Sequence, residues 1–130
     1  MFKTEVTVET KASAERIWAR LADVEAWPTW NRGLKAARLE GPLVAGARGS
    51  VTLPNGAVRP FVVWEATPLR SLRYGTSDLG NEVSFTYRVD ESTVTAGATI
   101  RGWLSPLLGV LFGRVIAGYL PDTTRSLARE

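Results

Sequence analysis

Ser105-Pro-Leu-Leu-Gly-Val-Leu-Phe-Gly-Arg-Val-Ile-Ala-Gly-Tyr-Leu-Pro-Asp-Thr-Thr-Arg-Ser-Leu127 runs almost to the end of the chain, and its reading decides what the rest of the protein must be. Ser105 is a hydroxyl cap, and Pro106 suits a first helical position because its missing N–H is not needed there. Leu108, Leu111, Phe112, Val115 and Tyr119 recur at helical spacing, and Ile116, Leu120 and Leu127 widen the apolar stripe. The spacing predicts one long helix, kinked or restarted at Pro121. Continued to Arg129, it is about 36 Å long at 1.5 Å per residue. A bilayer span is the competing reading, since Gly102 to Leu120 carries a single charge and Gly109-x-x-x-Gly113 offers a close-packing face. Against it, Arg114 near the centre of that stretch costs about 2.5 kcal/mol or more in hydrocarbon. No stable membrane anchor is expected.

Working back from the helix, the sequence reads as strands. Val94, Ala96, Ala98 and Ile100 alternate, as do Val83, Phe85, Tyr87 and Val89, with a turn at Asp90-Glu-Ser92 between them. Ser71 to Thr76, Val58 to Thr67, Ser50 to Leu53 and Lys35 to Leu39 are further strand candidates. Asn55-Gly56 is a hairpin signal because both positions tolerate positive φ. At the N-terminus Phe2, Thr4, Val6 and Val8 fall on one side and Lys3, Glu5, Thr7 and Glu9 on the other, a strand with one buried face. Ser13 can cap a short helix whose apolar side is Ala14, Ile17, Trp18 and Leu21. Asp23 can cap a second, ended at Pro28. The order is one strand, two short helices, about six strands and one long helix. An antiparallel sheet must bury its apolar face, and the last helix is the only element large enough to cover it. The expected fold is a single α+β domain over residues 1–130, a curved antiparallel sheet wrapped on the C-terminal helix.

Composition narrows the chemistry. In 130 residues there is no Cys and no His. Disulfides, thiolate metal sites, a Cys nucleophile, a Ser-His-Asp triad, a zinc hydrolase and a two-His iron centre are excluded. No Gly-rich phosphate loop is present, because Gly41, Gly46 and Gly49 precede a strand instead of a helix. No metal and no organic cofactor is called for. Sixteen basic against thirteen acidic residues gives a net charge of +3. The basic residues are spread along the chain, so no nucleic-acid partner is expected. The first ten residues lack an apolar signal segment, which points to the cytoplasm.

The runs Ala12-Ser-Ala-Glu-Arg-Ile-Trp18 and Leu21-Ala-Asp-Val-Glu-Ala-Trp-Pro-Thr-Trp-Asn31, with Leu120-Pro121, Leu127 and Glu130 at the end, resemble the SRPBCC superfamily. That is the START and birch-pollen-allergen group, and within it the likeness is to the polyketide cyclase/dehydrase-like branch. It covers essentially the whole chain and is not specific for an activity. One departure is Ala14, where the family often has Pro. The resemblance implies a helix-grip fold with an apolar cavity between sheet and C-terminal helix. It implies binding, or transport, of a hydrophobic small molecule or lipid in that cavity. The alternative it implies is a cofactor-independent polyketide cyclase/dehydratase-type enzyme. A third class is a protein-interaction module, which would show a filled core and an exposed apolar patch. Monomer and homodimer both remain open.

The candidate lining residues are Trp27, Trp30, Trp64, Tyr74, Phe85, Tyr87, Arg101, Trp103, Phe112 and Tyr119. Each also has a structural role. Trp27 and Trp30 can stack on a ligand at the pocket mouth or pack the short helices on the sheet rim. Periodicity leaves the direction of Trp64 open. Tyr74 and Tyr87 need hydrogen-bond partners if buried, and either a ligand or a backbone carbonyl serves. Arg101 is either solvated or in contact with an anionic ligand. Glu65 and Glu82 are the carboxylates nearest the aromatic strands, and surface ion pairing suits them better than proton transfer. In the enzyme reading Tyr74, Tyr87 or Arg101 would polarise a carbonyl or stabilise an enolate.

Overall fold

The computed structural model describes residues 2–78 and 80–129. Strand β1 (Phe2–Glu9) is followed by helix α1 (Ala14–Ala22) and a 3-10 helix (Val24–Thr29). Six strands come next: β2 (Ala36–Glu40), β3 (Arg48–Thr52), β4 (Val58–Thr67), β5 (Ser71–Asp78), β6 (Asn81–Val89) and β7 (Thr93–Arg101). The chain ends in α2 (Ser105–Leu108), a π turn (Gly109–Gly113) and α3 (Arg114–Leu127). All seven strands form one antiparallel sheet in the order β1-β7-β6-β5-β4-β3-β2. Only the β1–β7 pairing joins distant parts of the chain; every other neighbour is reached through a short turn.

The alternation read in β1 is what forms: Phe2, Thr4, Val6 and Val8 turn inward while their neighbours are exposed. Ser13 caps α1, its hydroxyl accepting from the Arg16 N–H at 3.2 Å, and Ile17 and Leu21 are buried beneath it. Asp23 precedes the 3-10 helix without a side-chain cap bond. Instead, the Trp27 indole N–H donates to the Leu21 carbonyl at 2.9 Å and ties the two short helices together. At the β3–β4 turn Gly56 takes a positive φ of 89°, whereas Asn55 does not. The Asn55 side chain accepts from the Ala57 N–H at 2.9 Å and closes the turn in that way.

The helix that follows β7 packs on β1 and β7. Its departure from α geometry falls at 109–113 and not at the expected Pro121, which lies inside α3. The cause is visible at the glycines. A Cβ on Gly109 would lie 3.1 Å from Phe2 Cβ, and one on Gly113 only 2.6 Å from Phe2 Cε2. The turn is pressed against the first strand, and only glycine permits that approach. The far end is tied down by the Thr10 hydroxyl donating to the Ala128 carbonyl at 2.6 Å. Among the described residues no helix is long and apolar enough to cross a membrane.

Candidate functional site: a buried group of three phenols

On the inner face of the sheet, cross-strand pairing sets Tyr74 beside Phe85, and Phe85 beside Ala98; Tyr87 stands beside Ala96. Rings fill the space between these strands and the 3-10 helix. Trp27 lies 4.8 Å from Tyr74 and 5.8 Å from Phe61 between ring centres. Tyr74 stacks on Phe85 at 5.5 Å and on Tyr87 at 6.5 Å, and Trp30 meets Tyr87 edge-on at 5.7 Å. Such offset and edge-to-face arrangements suit the ring quadrupoles.

Tyr119 joins this group from α3. Its ring packs against the cluster of Ala98, Ile100 and Ile116, as Phe85 and Val83 do, and a Cβ on Gly33 would lie 2.7 Å from its Cζ. The three tyrosines of the chain lie close enough for Tyr119, which is half-buried, to act on the buried Tyr74 and Tyr87. Their ionisation is suppressed. Burial raises the Tyr74 phenol well above 10.0, and the nearby phenols of Tyr87 and Tyr119 add to it. Burial and then Tyr119 raise Tyr87, while a hydrogen bond from Tyr74 opposes the rise. Burial alone raises Tyr119. At neutral pH all three are O–H donors, able to polarise a carbonyl or stabilise an enolate, and unsuited to be bases.

Two more polar groups are buried without a partner among the described residues, the Trp30 Nε1 and the Thr123 hydroxyl. Buried donors are rarely left so, and each costs about 1–3 kcal/mol when unpaired.

The ten predicted lining residues are not all brought together. Trp27, Trp30, Tyr74, Phe85, Tyr87 and Tyr119 share the interior. Trp64 and Arg101 stand on the opposite face. A β-bulge between Val63 and Glu65 breaks the period of β4, so Phe61, Val63 and Ala66 pack inward and Trp64 turns out. There the Arg73 guanidinium lies 4.6 Å from the Trp64 ring centre. Glu82 pairs with Arg73 at 3.1 Å and with Arg101 at 3.9 Å, while Glu65 accepts from the Ser71 hydroxyl at 3.0 Å. Both carboxylates are thus engaged away from the phenols. Trp103 is largely exposed at the sheet rim. The Phe112 side chain lies outside the described residues. Gly33, which the sequence reading did not single out, lies against the Tyr119 ring, and no local pattern marks it.

A family profile described as polyketide cyclase / dehydrase and lipid transport matches residues 1–130. No curated protein matches the chain in sequence. Among solved structures, XoxI from Bacillus cereus superposes with a TM-score of 0.74 at 17% identity, over 98% of this chain and 94% of that one. Truncated norcoclaurine synthase from Thalictrum flavum gives 0.72 at 14% identity, over 98% and 91%. The di-domain ARO/CYC StfQ from the steffimycin biosynthetic pathway gives 0.65 at 15% identity, over 97% of this chain and 49% of that one. At these identities the likeness shows the fold, a helix-grip arrangement, and nothing finer.

Proposed function

Because the chain belongs to the polyketide cyclase / dehydrase and lipid transport family, we propose that it is a cytoplasmic binder of a hydrophobic small molecule or lipid, held between the sheet and the C-terminal helix. The observation that carries this reading is the approach of Tyr119, half-buried on α3, to the buried phenols Tyr74 and Tyr87 on the apolar face of the sheet. Rings supply apolar contact area, and neutral hydroxyls supply a few oriented donors. That is the usual make-up of a small-molecule site. Seating a ligand there requires rings to move, and Tyr119 is the member of the group carried by the helix.

A second reading is catalysis of the cyclase or dehydratase type without a cofactor. Its support is that the three phenols stay protonated, which suits them to hold developing negative charge on a carbonyl oxygen. A third, protein docking, draws on the exposed Trp103, Leu107, Val110 and Val115.

Native mass spectrometry of freshly purified protein, followed by denaturing analysis of what is released, tests the first reading. A co-purified hydrophobic adduct is expected. A clean protein mass together with no thermal shift across lipids, sterols and aromatic polyketides overturns it and favours docking. Tyr87→Phe separates the first two readings: turnover falls with binding kept if the phenol is catalytic, and no turnover exists to lose if the protein only binds.

A further inference from the structure

Outside the sheet–helix space, a cleft of about 710 Å³ opens where α1, the 3-10 helix and the last turn of α3 meet. Arg16, Arg20 and Arg129 line it, with Asp23 as the one carboxylate among the described residues. Among the described residues no carboxylate comes within ion-pair distance of any of the three arginines. They are close enough to act on one another: after burial, the charges of Arg16 and Arg129 push Arg20 below its ordinary value. Arg20 is committed to structure, donating to the Leu127 carbonyl at 2.6 Å and to the Arg129 carbonyl, and so fixing α1 against the chain end. Arg16 and Arg129 are exposed.

A separate observation comes from the wall. Trp30, 5% exposed, lines the cleft, and its buried indole N–H has no acceptor. Ser126, from the last turn of α3, lines it as well. Positive charge at the mouth and an unsatisfied donor on a wall residue call for the same thing, a compact group rich in acceptor atoms. We infer that this cleft binds an anion, a carboxylate or a phosphate group, with Arg16 and Arg129 supplying the charge and Trp30 a buried donor. The planar guanidinium matches both groups in pairs of hydrogen bonds. The anion is either free or the head of an amphiphile. The cleft opens outside the sheet–helix space and shares Trp30 with the ligand site proposed above; decanol, which an apolar site would take, separates the two.

The test uses ¹⁵N-labelled full chain titrated separately with inorganic phosphate, decanoate and decanol. The readout is the Trp30 indole N–H signal, assigned through bonds. A saturable downfield shift with phosphate marks a free-anion site, and one with decanoate alone marks a headgroup site; either supports the proposal. Decanol should leave this signal in place. Replacing both exposed arginines, Arg16→Gln with Arg129→Gln, should weaken the anion by about tenfold or more, the size of one charge-assisted hydrogen bond, and added salt should do the same in the parent. Should the double variant fail to fold by circular dichroism, Arg16→Gln alone gives the same reading. A signal unmoved by both anions, moved equally by decanol, or moved undiminished in the arginine variant overturns the proposal.

Discussion

Under the 3-10 helix the sheet is packed by interlocking rings, with Trp27 against Phe61 and Tyr74 and Trp30 against Tyr87. Under the C-terminal helix the same sheet offers Ala98 and Ile100 to Ile116, and Phe2 to the glycines of the π turn. Large rings fix the first end in one arrangement, because a close-packed interior has few alternatives. At the second end small residues let a helix lie close and bring Tyr119 over the alanine beside Phe85. The phenols stand at the border between the two. One end carries the architecture, and the other makes room for polar atoms inside an apolar face.

The largest effect expected from this arrangement is on stability at high pH. In the unfolded chain the three phenols titrate near 10.0, while in the folded protein all three are held higher. Above pH 10 the unfolded state therefore binds fewer protons than the folded one, so stability, complete below that pH, falls as pH rises. Phenolate absorbance should show no step near pH 10 before unfolding, because every tyrosine of the chain is in the group. A tyrosine ionising near pH 10 in folded protein would break the picture of a shared buried face.

Next comes a direct contest between the two ends. Trp27 is fully buried and hydrogen-bonded, so Trp27→Ala should cost about 3–5 kcal/mol in urea unfolding. Ile116, at the helix end, is smaller and 7% exposed, so Ile116→Ala should cost less, about 2 kcal/mol. Equal losses would erase the distinction between a ring-locked end and a small-residue end.

The same contrast explains what the sequence discloses. Period-two alternation and helix-start residues suffice for the strand order and the last helix, since those signals are local. Trp64 resists because the β4 bulge changes which residues share a face, and periodicity assumes no bulge. The π turn depends on Phe2, whose ring arrives from the far end of the chain. The meeting of Tyr119 with Gly33, and of Arg129 with Arg16 and Arg20, is likewise set by tertiary folding. Residue types were legible as aromatic or basic, but their convergence was not. Leu69, at a positive φ of 66° between β4 and β5, gave no signal at all.

The smallest effects come from two glycines of the last helix, and they should have opposite signs. A Cβ on Gly113 would meet three atoms of the Phe2 ring within 2.9 Å. That ring is also approached by Gly109 one turn away, so it has little room to yield. Gly113→Ala should destabilise by about 1–3 kcal/mol through overpacking. Gly118 is exposed and has nothing within 4 Å of an added Cβ. Gly118→Ala should stabilise by about 0.5–1 kcal/mol, because alanine loses less backbone freedom in a helix. Thermal unfolding of the two variants side by side reads the difference. A loss at both positions would mean that Gly118 too lies against a partner in solution, and the outer face of α3 would then have to be counted as a contact surface.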